Sequence, residues 1–302
     1  MSTLRPSTII ILLTRRCLYS CTHCNTFSSS SETQTFSHIR LIRTLHYLSR
    51  IKSIRTVIFS GGEPFLHYPL LKSGVFEAAT LGLTPMVWTS GYFIQTREDI
   101  IQSLRPLTDV GLKGCILSAD LFHQNPWLSE NEELIRTELE ARGCELFMSS
   151  FQMKEPASPP TLARSGDLLL RGTLPFMGRA ADHIPEDMSL WEPDDLDVCP
   201  HLNLSDPTYL YLDPGGNLHL CPGIILHNIF MGHIRQYFRD FDSEKHPVIG
   251  PLLRGGPPQL AKAFNIPISG GFADQCHLCF HVRRQAAAVH PHLFPPSWYT
   301  EN

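Results

Sequence analysis

Short apolar runs alternate with amphipathic segments between residues 9 and 176. Each run is four or five residues long and is typical of a strand buried in a sheet. In the first amphipathic segment, apolar side chains recur at helical spacing at Leu41, Leu45 and Leu48. The predicted strands are Ile9–Leu13, Thr56–Phe59, Pro85–Trp88, Gly114–Leu117, Cys144–Met148 and Gly172–Phe176, and the predicted helices are Ser37–Ile51, Leu70–Leu81, Arg97–Leu104, Asn131–Arg142 and Thr161–Leu169.

Repeated strand–helix units predict an α/β fold with a parallel sheet. Right-handed crossovers would curl such a sheet into a barrel or into part of one, and periodicity alone does not separate this from a doubly wound sheet. In either architecture, functional residues gather at the carboxyl ends of the strands.

The pattern changes after Arg179, and we expect a domain boundary near residue 190, with one domain over 1–190 and a second over 191–302. Residues 182–197 are rich in acidic residues and predict a surface loop. Further on, the alternation gives way to a hairpin, a Gly/Pro-rich turn and isolated helices. The predicted elements are strands Tyr209–Leu212 and Asn217–Leu220, helix Met231–Asp240, the turn region Pro251–Pro258 and helix His277–Val289.

Composition and charge exclude several classes of protein. The 302 residues are 42% hydrophobic and 18% charged, as in globular proteins. A formal net charge of −4, with no run of five like charges, argues against a nucleic-acid partner. The first apolar run is too short to span a bilayer and no signal-peptide cleavage pattern follows it, so we expect a cytoplasmic protein.

Three cysteines follow the first predicted strand: Cys17, Cys21 and Cys24, in the spacing Cys-x3-Cys-x2-Cys. Three thiolates at this spacing can face one point from one tight loop. An ordinary [4Fe–4S] cluster takes four cysteines, so a cube held by these three keeps one iron open to a ligand. A lone Cys-x2-Cys would instead be typical of a zinc or redox site. Cys115 and Cys144 lie in predicted strands and are expected to be small buried apolar residues.

The cysteine loop resembles the cluster-binding loop of the radical S-adenosylmethionine (SAM) enzymes. Three later motifs are similar to those of that family: Gly61-Gly62-Glu63-Pro64 after the second strand, Ser118-Ala119-Asp120 after the fourth, and Gly178-Arg179-Ala180 after the sixth. His23 is a departure, because the family usually has Tyr, Phe or Trp there. The resemblance implies a partial (β/α)6 TIM-like barrel.

The resemblance also implies roles for these residues. Cys17, Cys21 and Cys24 would ligate the cluster, and Gly61, Gly62, Glu63 and Pro64 would bind the amino acid portion of SAM, with Glu63 accepting from its ammonium group. His23 would cover the adenine, and Ser118 and Asp120 would contact the ribose or the carboxylate. Arg179 would pair with the SAM carboxylate or with substrate. Weaker candidates at the same strand ends are Thr89, Ser90, His123 and Gln124.

Four more cysteines, Cys199, Cys221, Cys276 and Cys279, lie in the last third of the chain. Their arrangement resembles the SPASM or twitch extensions of the same superfamily, which implies one fully ligated auxiliary [4Fe–4S] cluster. Four thiolates also suit tetrahedral zinc, so a structural zinc site is the alternative.

The expected function is reductive cleavage of SAM to a 5′-deoxyadenosyl radical that abstracts hydrogen from a substrate C–H bond. Extensions of this type accompany peptide- or protein-modifying enzymes, so a peptide or protein side chain is the expected substrate, with a separate leader-binding protein and a flavodoxin or ferredoxin as electron donor. The alternatives are a small metabolite, lipid or tetrapyrrole substrate, or a non-catalytic iron–sulfur electron-transfer protein.

Overall fold

A sheet of nine strands organises the fold. The computed structural model describes residues 4–120, 122–123, 125–153, 155, 168 and 170–300. The strands are β1 (Thr8–Thr14), β2 (Thr56–Gly61), β3 (Thr84–Thr89), β4 (Gly114–Ser118), β5 (Glu145–Gln152), β6 (Arg171–Thr173), β7 (Tyr209–Leu212), β8 (Asn217–His219) and β9 (Ile225–Asn228). The helices are α1 (His38–Ser49), α2 (Tyr68–Thr80), α3 (Arg97–Thr108), α4 (Pro126–Glu130), α5 (Glu132–Glu140), α6 (Ile234–Asp240), α7 (Ile249–Phe264) and α8 (Gln275–Ala286).

Strands β1 to β6 are parallel and stand side by side in chain order, which confirms the predicted α/β class and the large parallel sheet. The full order is β6-β5-β4-β3-β2-β1-β7-β8-β9, so β6 and β9 are the edges of the described sheet. Strand β1 lies inside the sheet, and Ile9 to Leu13 are buried, which explains their continuous apolar run.

The structure has one short helix that the sequence analysis did not predict. The helix expected over Asn131–Arg142 is α5, and the additional helix α4 precedes it, beginning at Pro126 and ending before Asn131. The helix predicted over Thr161–Leu169 lies almost entirely outside the described residues, as does Gln124.

The turn region predicted over Pro251–Pro258 is wrong, because these residues lie inside α7. The helix is interrupted at Gly255 and Gly256 and resumes at Pro257 and Pro258. Gly256 adopts a left-handed φ of 59°, and a Cβ there would lie 2.3 Å from the carbonyl carbon of Asp197. The two prolines stand where a new helical turn begins, a position that requires no backbone N–H, so the helix continues after the kink.

The chain after residue 190 shares the sheet with the chain before it. Strand β7 pairs parallel with β1, and β7, β8 and β9 continue antiparallel, with the predicted hairpin turn at Asp213–Gly216. Buried side chains from both parts pack in one hydrophobic cluster. The domain boundary at 190 stays a prediction. Within the described residues, no helix combines the length and the apolar character needed to cross a lipid bilayer.

Candidate functional site

A cavity of about 270 Å³ opens at the carboxyl ends of the parallel strands. Both groups of cysteines contribute to its wall, together with residues that follow β2, β3 and β4. The predicted site residues that line it are Cys17, Cys21, His23, Cys24, Gly61, Gly62, Ser118, Asp120, Cys199, Cys221 and Cys276. The fold therefore gathers on one cavity residues that lie more than 250 positions apart in the sequence.

The three-cysteine loop turns tightly after β1. The Cys24 N–H donates to the carbonyl of Cys21 at 3.1 Å, and the Cys17 N–H donates to the carbonyl of Ser29 at 3.0 Å. Burial raises the pKa of the Cys17 thiol to about 11; burial, then the charges on Cys24 and Cys17, raise the pKa of Cys21 to about 12. A raised pKa disfavours the thiolate at neutral pH, so these two cysteines need an electrophilic partner in order to ionise, and a metal centre supplies one.

Two buried arginines stabilise the cysteine loop and its surroundings through hydrogen bonds to backbone carbonyls. The Arg15 guanidinium donates to the carbonyls of Thr26 and Ser297 at 2.9 Å each, and it lies 3.6 Å from Glu32. The Arg179 guanidinium donates to the carbonyl of Ser28 at 2.9 Å and to that of Cys21 at 3.4 Å.

Arg179 was predicted to contact SAM or substrate, and that contact stays a prediction. Its side chain is 6% exposed, and the contacts described above orient the cysteine loop. Its backbone N–H also donates to the carbonyl of Cys24 at 3.0 Å.

The backbone at position 178 explains why the residue before Arg179 is a glycine. Its φ is 63°, and a Cβ there would lie 2.4 Å from the carbonyl oxygen of Cys24 and 2.5 Å from the Cα of Asn25. Only a residue without a side chain lets this segment approach the cysteine loop so closely. The Gly-Arg-Ala motif therefore braces the loop.

Gly61 and Gly62 allow a close approach between two strand ends, and their predicted contact with SAM stays a prediction. A Cβ on Gly61 would lie 2.1 Å from the carbonyl oxygen of Thr14, and a Cβ on Gly62 would lie 2.1 Å from that of Arg16. The two glycines thus let the end of β2 pass directly beside the end of β1, while their backbone lines the cavity.

Glu63 lies at the predicted strand end, but its carboxyl group ties β2 to β3. It is 0% exposed and accepts hydrogen bonds from the Phe65 N–H, the Thr89 hydroxyl, and both the N–H and the hydroxyl of Ser90, at 2.6 to 3.1 Å. These four bonds use the four acceptor sites of a carboxylate. Pro64 begins a short 3-10 helix over Pro64–His67. The predicted contact between Glu63 and the SAM ammonium stays a prediction. Thr89 and Ser90, the weaker candidates at this strand end, donate hydrogen bonds to Glu63.

Asp120 and His123, from the segment after β4, meet His23 of the cysteine loop at the cavity. The Asp120 Oδ1 lies 2.7 Å from Nδ1 of His123, and one ligand atom from each of the three residues lies within 4.8 Å of the others. Burial alone raises the pKa of Asp120, but its hydrogen bond and charge interaction with His123 hold that pKa below its usual range. Burial and His123 lower the pKa of His23 to about 4, so its ring is neutral.

Two polar atoms of this group face the site without a partner. Asp120 Oδ2 and His23 Nδ1 are buried, and neither has a hydrogen-bond partner among the described residues. Because an unpaired buried polar atom costs about 1–3 kcal/mol, these two atoms indicate a ligand with hydroxyl or N–H groups. Ser118 lies at the end of β4 and accepts a hydrogen bond from Trp88 Nε1 at 3.2 Å, and both residues line the cavity.

The four later cysteines also come together. Cys276 and Cys279 lie one turn apart on α8, and Cys221 and Cys199 reach them from the loop after β8 and from the loop before β7. Burial, followed by the charges on Cys279 and Cys221, raises the pKa of Cys199 to about 12. The sulfurs are thus close enough to interact electrostatically.

Neither cysteine group has the spacing of a single-ion site. Within the described part of the chain, only His23, Asp120 and His123 bring three potential ligand atoms within 4.8 Å of one another, so in neither cysteine group do three sulfurs meet that limit. Four sulfurs bound to one zinc ion at about 2.3 Å would lie about 3.8 Å apart.

Arg15, Arg283 and Asp274 were missed by the sequence predictions. Arg15 follows an apolar strand and Arg283 lies in the last turn of α8, so both patterns suggested solvent-exposed cations. Asp274 caps α8 by accepting from the His277 N–H at 2.7 Å, and it also accepts from the Phe176 N–H at 3.1 Å. The Asp-x-x-His spacing before a helix was an available signal for the cap, whereas nothing in the sequence indicated the contact with Phe176.

Comparison with known proteins gives fold neighbours only. No protein-family model matches the chain, and no curated protein matches it. Among solved structures, BtrN in complex with AdoMet and 2-DOIA is 20% identical, with 79% of this chain and 83% of that chain covered and a TM-score of 0.47. SuiB of Streptococcus suis bound to the precursor peptide SuiA is 15% identical, with 79% and 66% covered and a TM-score of 0.44.

Proposed function

We propose that this protein is a radical SAM enzyme that generates a 5′-deoxyadenosyl radical and abstracts hydrogen from a substrate C–H bond. The observation that carries the proposal is the cavity itself, which is lined by Cys17, Cys21 and Cys24 together with His23 and Asp120, each of which has an unpaired buried polar atom. A three-thiolate loop and a set of hydrogen-bonding groups beside it are what a cluster-bound nucleoside requires.

The residues present fit a [4Fe–4S] cluster and SAM. Three cysteines on one loop supply three of the four cluster ligands and leave one iron open. The buried His23 Nδ1 and Asp120 Oδ2 supply polar partners for an adenine and ribose, and the backbone of Gly61 and Gly62 borders the cavity. When bound, the reduced cluster and SAM supply the electron and the radical precursor. The chain positions both and keeps the cysteine loop in place through Arg15 and Arg179.

We propose an auxiliary [4Fe–4S] cluster on Cys199, Cys221, Cys276 and Cys279. No three of their sulfurs lie within 4.8 Å of one another, and this supports a cube, whose ligands bind different iron atoms, over the tetrahedral zinc that was the alternative. Three of these cysteines line the same cavity as the N-terminal group. The auxiliary centre would therefore lie next to the reacting substrate, where it can accept an electron.

A peptide or protein side chain is the proposed substrate, with a flavodoxin or ferredoxin as electron donor and a separate protein as leader-binding partner. A small metabolite, lipid or tetrapyrrole is the second candidate. The favouring observation is a cavity of about 270 Å³, which is close to the lower end of the size range of small-molecule pockets.

The reaction class is tested with anaerobically reconstituted protein, dithionite and SAM, by measuring 5′-deoxyadenosine. We expect the unsubstituted protein to form it and the variant Cys21→Ala to form none, because that change removes one of three cluster ligands. The matched control is Cys144→Ala, since Cys144 is buried away from both cysteine groups and lies outside the cavity. A protein that holds its iron but yields no 5′-deoxyadenosine would refute the proposal.

The auxiliary site is tested by metal analysis. Two cubes give about eight iron and eight sulfide per chain, whereas one cube with zinc gives about four of each and one zinc. The substrate class is tested by adding deuterated candidate peptides or metabolites and following deuterium into 5′-deoxyadenosine.

A further inference from the structure

Arg283 is a buried cation whose ionisable neighbours are thiols and a phenol. It lies on α8 four residues after Cys279, so the two residues share one face of the helix. Its side chain is 1% exposed. The Nε–H donates to the carbonyl of Cys279 at 3.3 Å, and an NH1 hydrogen donates to the carbonyl of Pro222 at 3.0 Å. One of these carbonyls belongs to Cys279, and the other belongs to the residue that follows Cys221.

No carboxylate among the described residues forms an ion pair with Arg283, although its neighbour Arg284 pairs with Asp182 at 2.7 and 2.8 Å. The ionisable groups that influence Arg283 are instead Tyr299, Cys279, Cys221 and Cys276. Aromatic rings surround the rest of it, with Phe280 at 5.6 Å and Tyr299 at 5.7 Å.

Burying an uncompensated cation costs several kcal/mol, so this position requires negative charge nearby. Neutral thiols supply none. Thiolates on a metal cluster would supply it, so the buried charge of Arg283 fits the metal-loaded form of the four-cysteine site.

We propose that Arg283 is a positioning residue that raises the reduction potential of the auxiliary cluster and thereby makes it an electron acceptor. The inference rests on the proposed auxiliary cluster and concerns how it is tuned. Reduction would add one negative charge to the cluster, and a fixed cation hydrogen-bonded to the backbone of Cys279 and of Pro222, beside Cys221, would stabilise that added charge. Tyr299 helps to hold the guanidinium in place, because its hydroxyl donates to the carbonyl of Gly223 at 2.6 Å on the same side of the site.

The test is a redox titration followed by electron paramagnetic resonance. It uses full-length protein in which Cys17, Cys21 and Cys24 are all changed to Ala, so that the auxiliary cluster alone gives the signal. In that background Arg283→Gln keeps side-chain N–H donors but removes the charge, whereas Arg283→Lys keeps the charge. The matched control is Arg284→Gln, which removes the same charge one residue away, from a side chain paired with Asp182.

We expect a shift of the midpoint potential to more negative values in Arg283→Gln, a smaller shift in Arg283→Lys, and none in Arg284→Gln. An unchanged or more positive potential in Arg283→Gln overturns the proposal. Loss of the cluster from Arg283→Gln also overturns it, because Arg283 would then serve assembly. If metal analysis of the unsubstituted protein shows a single cube, the auxiliary cluster itself is refuted, and this outcome is distinct from a cluster whose potential ignores Arg283.

Discussion

Replacing Glu63 by Gln separates the two roles that this residue could have. In the structure its carboxyl group accepts four hydrogen bonds, from the Phe65 N–H, the Thr89 hydroxyl, and the N–H and hydroxyl of Ser90. The amide of Gln has one oxygen and one NH2 group. Either orientation therefore sets the NH2 group against a backbone N–H, that of Phe65 or that of Ser90, while the hydroxyl groups can rotate to accept instead.

One buried backbone donor is thus left without an acceptor in Glu63→Gln. Such a donor costs about 1–3 kcal/mol, so the free energy of unfolding should fall by about that amount. The assay is urea unfolding of the cluster-free protein under reducing conditions, with the slope against urea checked for constancy. The matched control is Glu98→Gln on the exposed face of α3, where the change should stay within about 0.5 kcal/mol.

A contact with SAM predicts a different result. If the main role of Glu63 is to bind the SAM ammonium group, Glu63→Gln should leave the free energy of unfolding unchanged and weaken only SAM binding, measured by the spectral change of the reconstituted cluster. Unchanged stability would refute the reasoning from the four hydrogen bonds.

Three further predictions follow from the packing around the site. Gly178→Ala should lower the iron content of the proposed N-terminal cluster, because a Cβ would clash with the Cys24 carbonyl. The control is Gly143→Ala, since the φ of 69° at Gly143 is equally strained for alanine but a Cβ there meets open space. Equal iron content in both variants would contradict this prediction. Asp274→Ala should lower the free energy of unfolding by about 2–4 kcal/mol and reduce the iron content of the proposed auxiliary site, because it removes a helix cap and the acceptor of the Phe176 N–H. The control Thr96→Ala removes only an exposed cap and should cost about 0.5–2 kcal/mol. Similar losses in both variants would exclude a stabilising contribution from the hydrogen bond to Phe176. Burial lowers the pKa of His246 to about 4, so as pH falls through about 6.5 the unfolded chain gains a proton that the folded chain does not, and stability is lost down to about pH 4. The free energy of unfolding of the cluster-free protein, relative to that of its variant His246→Phe, should therefore fall by about 2 kcal/mol between pH 7 and 4.5. A difference that stays constant across this pH range in urea titrations would exclude this origin.

The outcome for the helices shows where sequence patterns fail. The kinked α7 was read as a turn region because Gly255, Gly256, Pro257 and Pro258 are all residues that break helices. In the structure only Gly255 and Gly256 leave the helical conformation, and they form one kink between two helical halves that bury apolar residues such as Leu252 and Leu260. Tertiary burial overrides local propensity there.

The sequence by itself determined the parallel sheet and the cysteine loop. Strands such as β1 carry unbroken apolar runs because they are buried on both faces, and Cys17, Cys21 and Cys24 lie within one turn of chain, so their convergence is a local property. These features need only short-range information.

Only the tertiary structure decided how distant residues share the site. It brought Cys199, Cys221, Cys276 and Cys279 together, turned the Glu63 carboxyl group towards β3, and buried the guanidinium of Arg283 against thiols. The physical reason is that a charged side chain next to a strand end or a helix end can face water, a ligand or a neighbouring element. Which of these it faces depends on the other groups that the fold brings to the same place. Residue spacing along the chain does not carry that information.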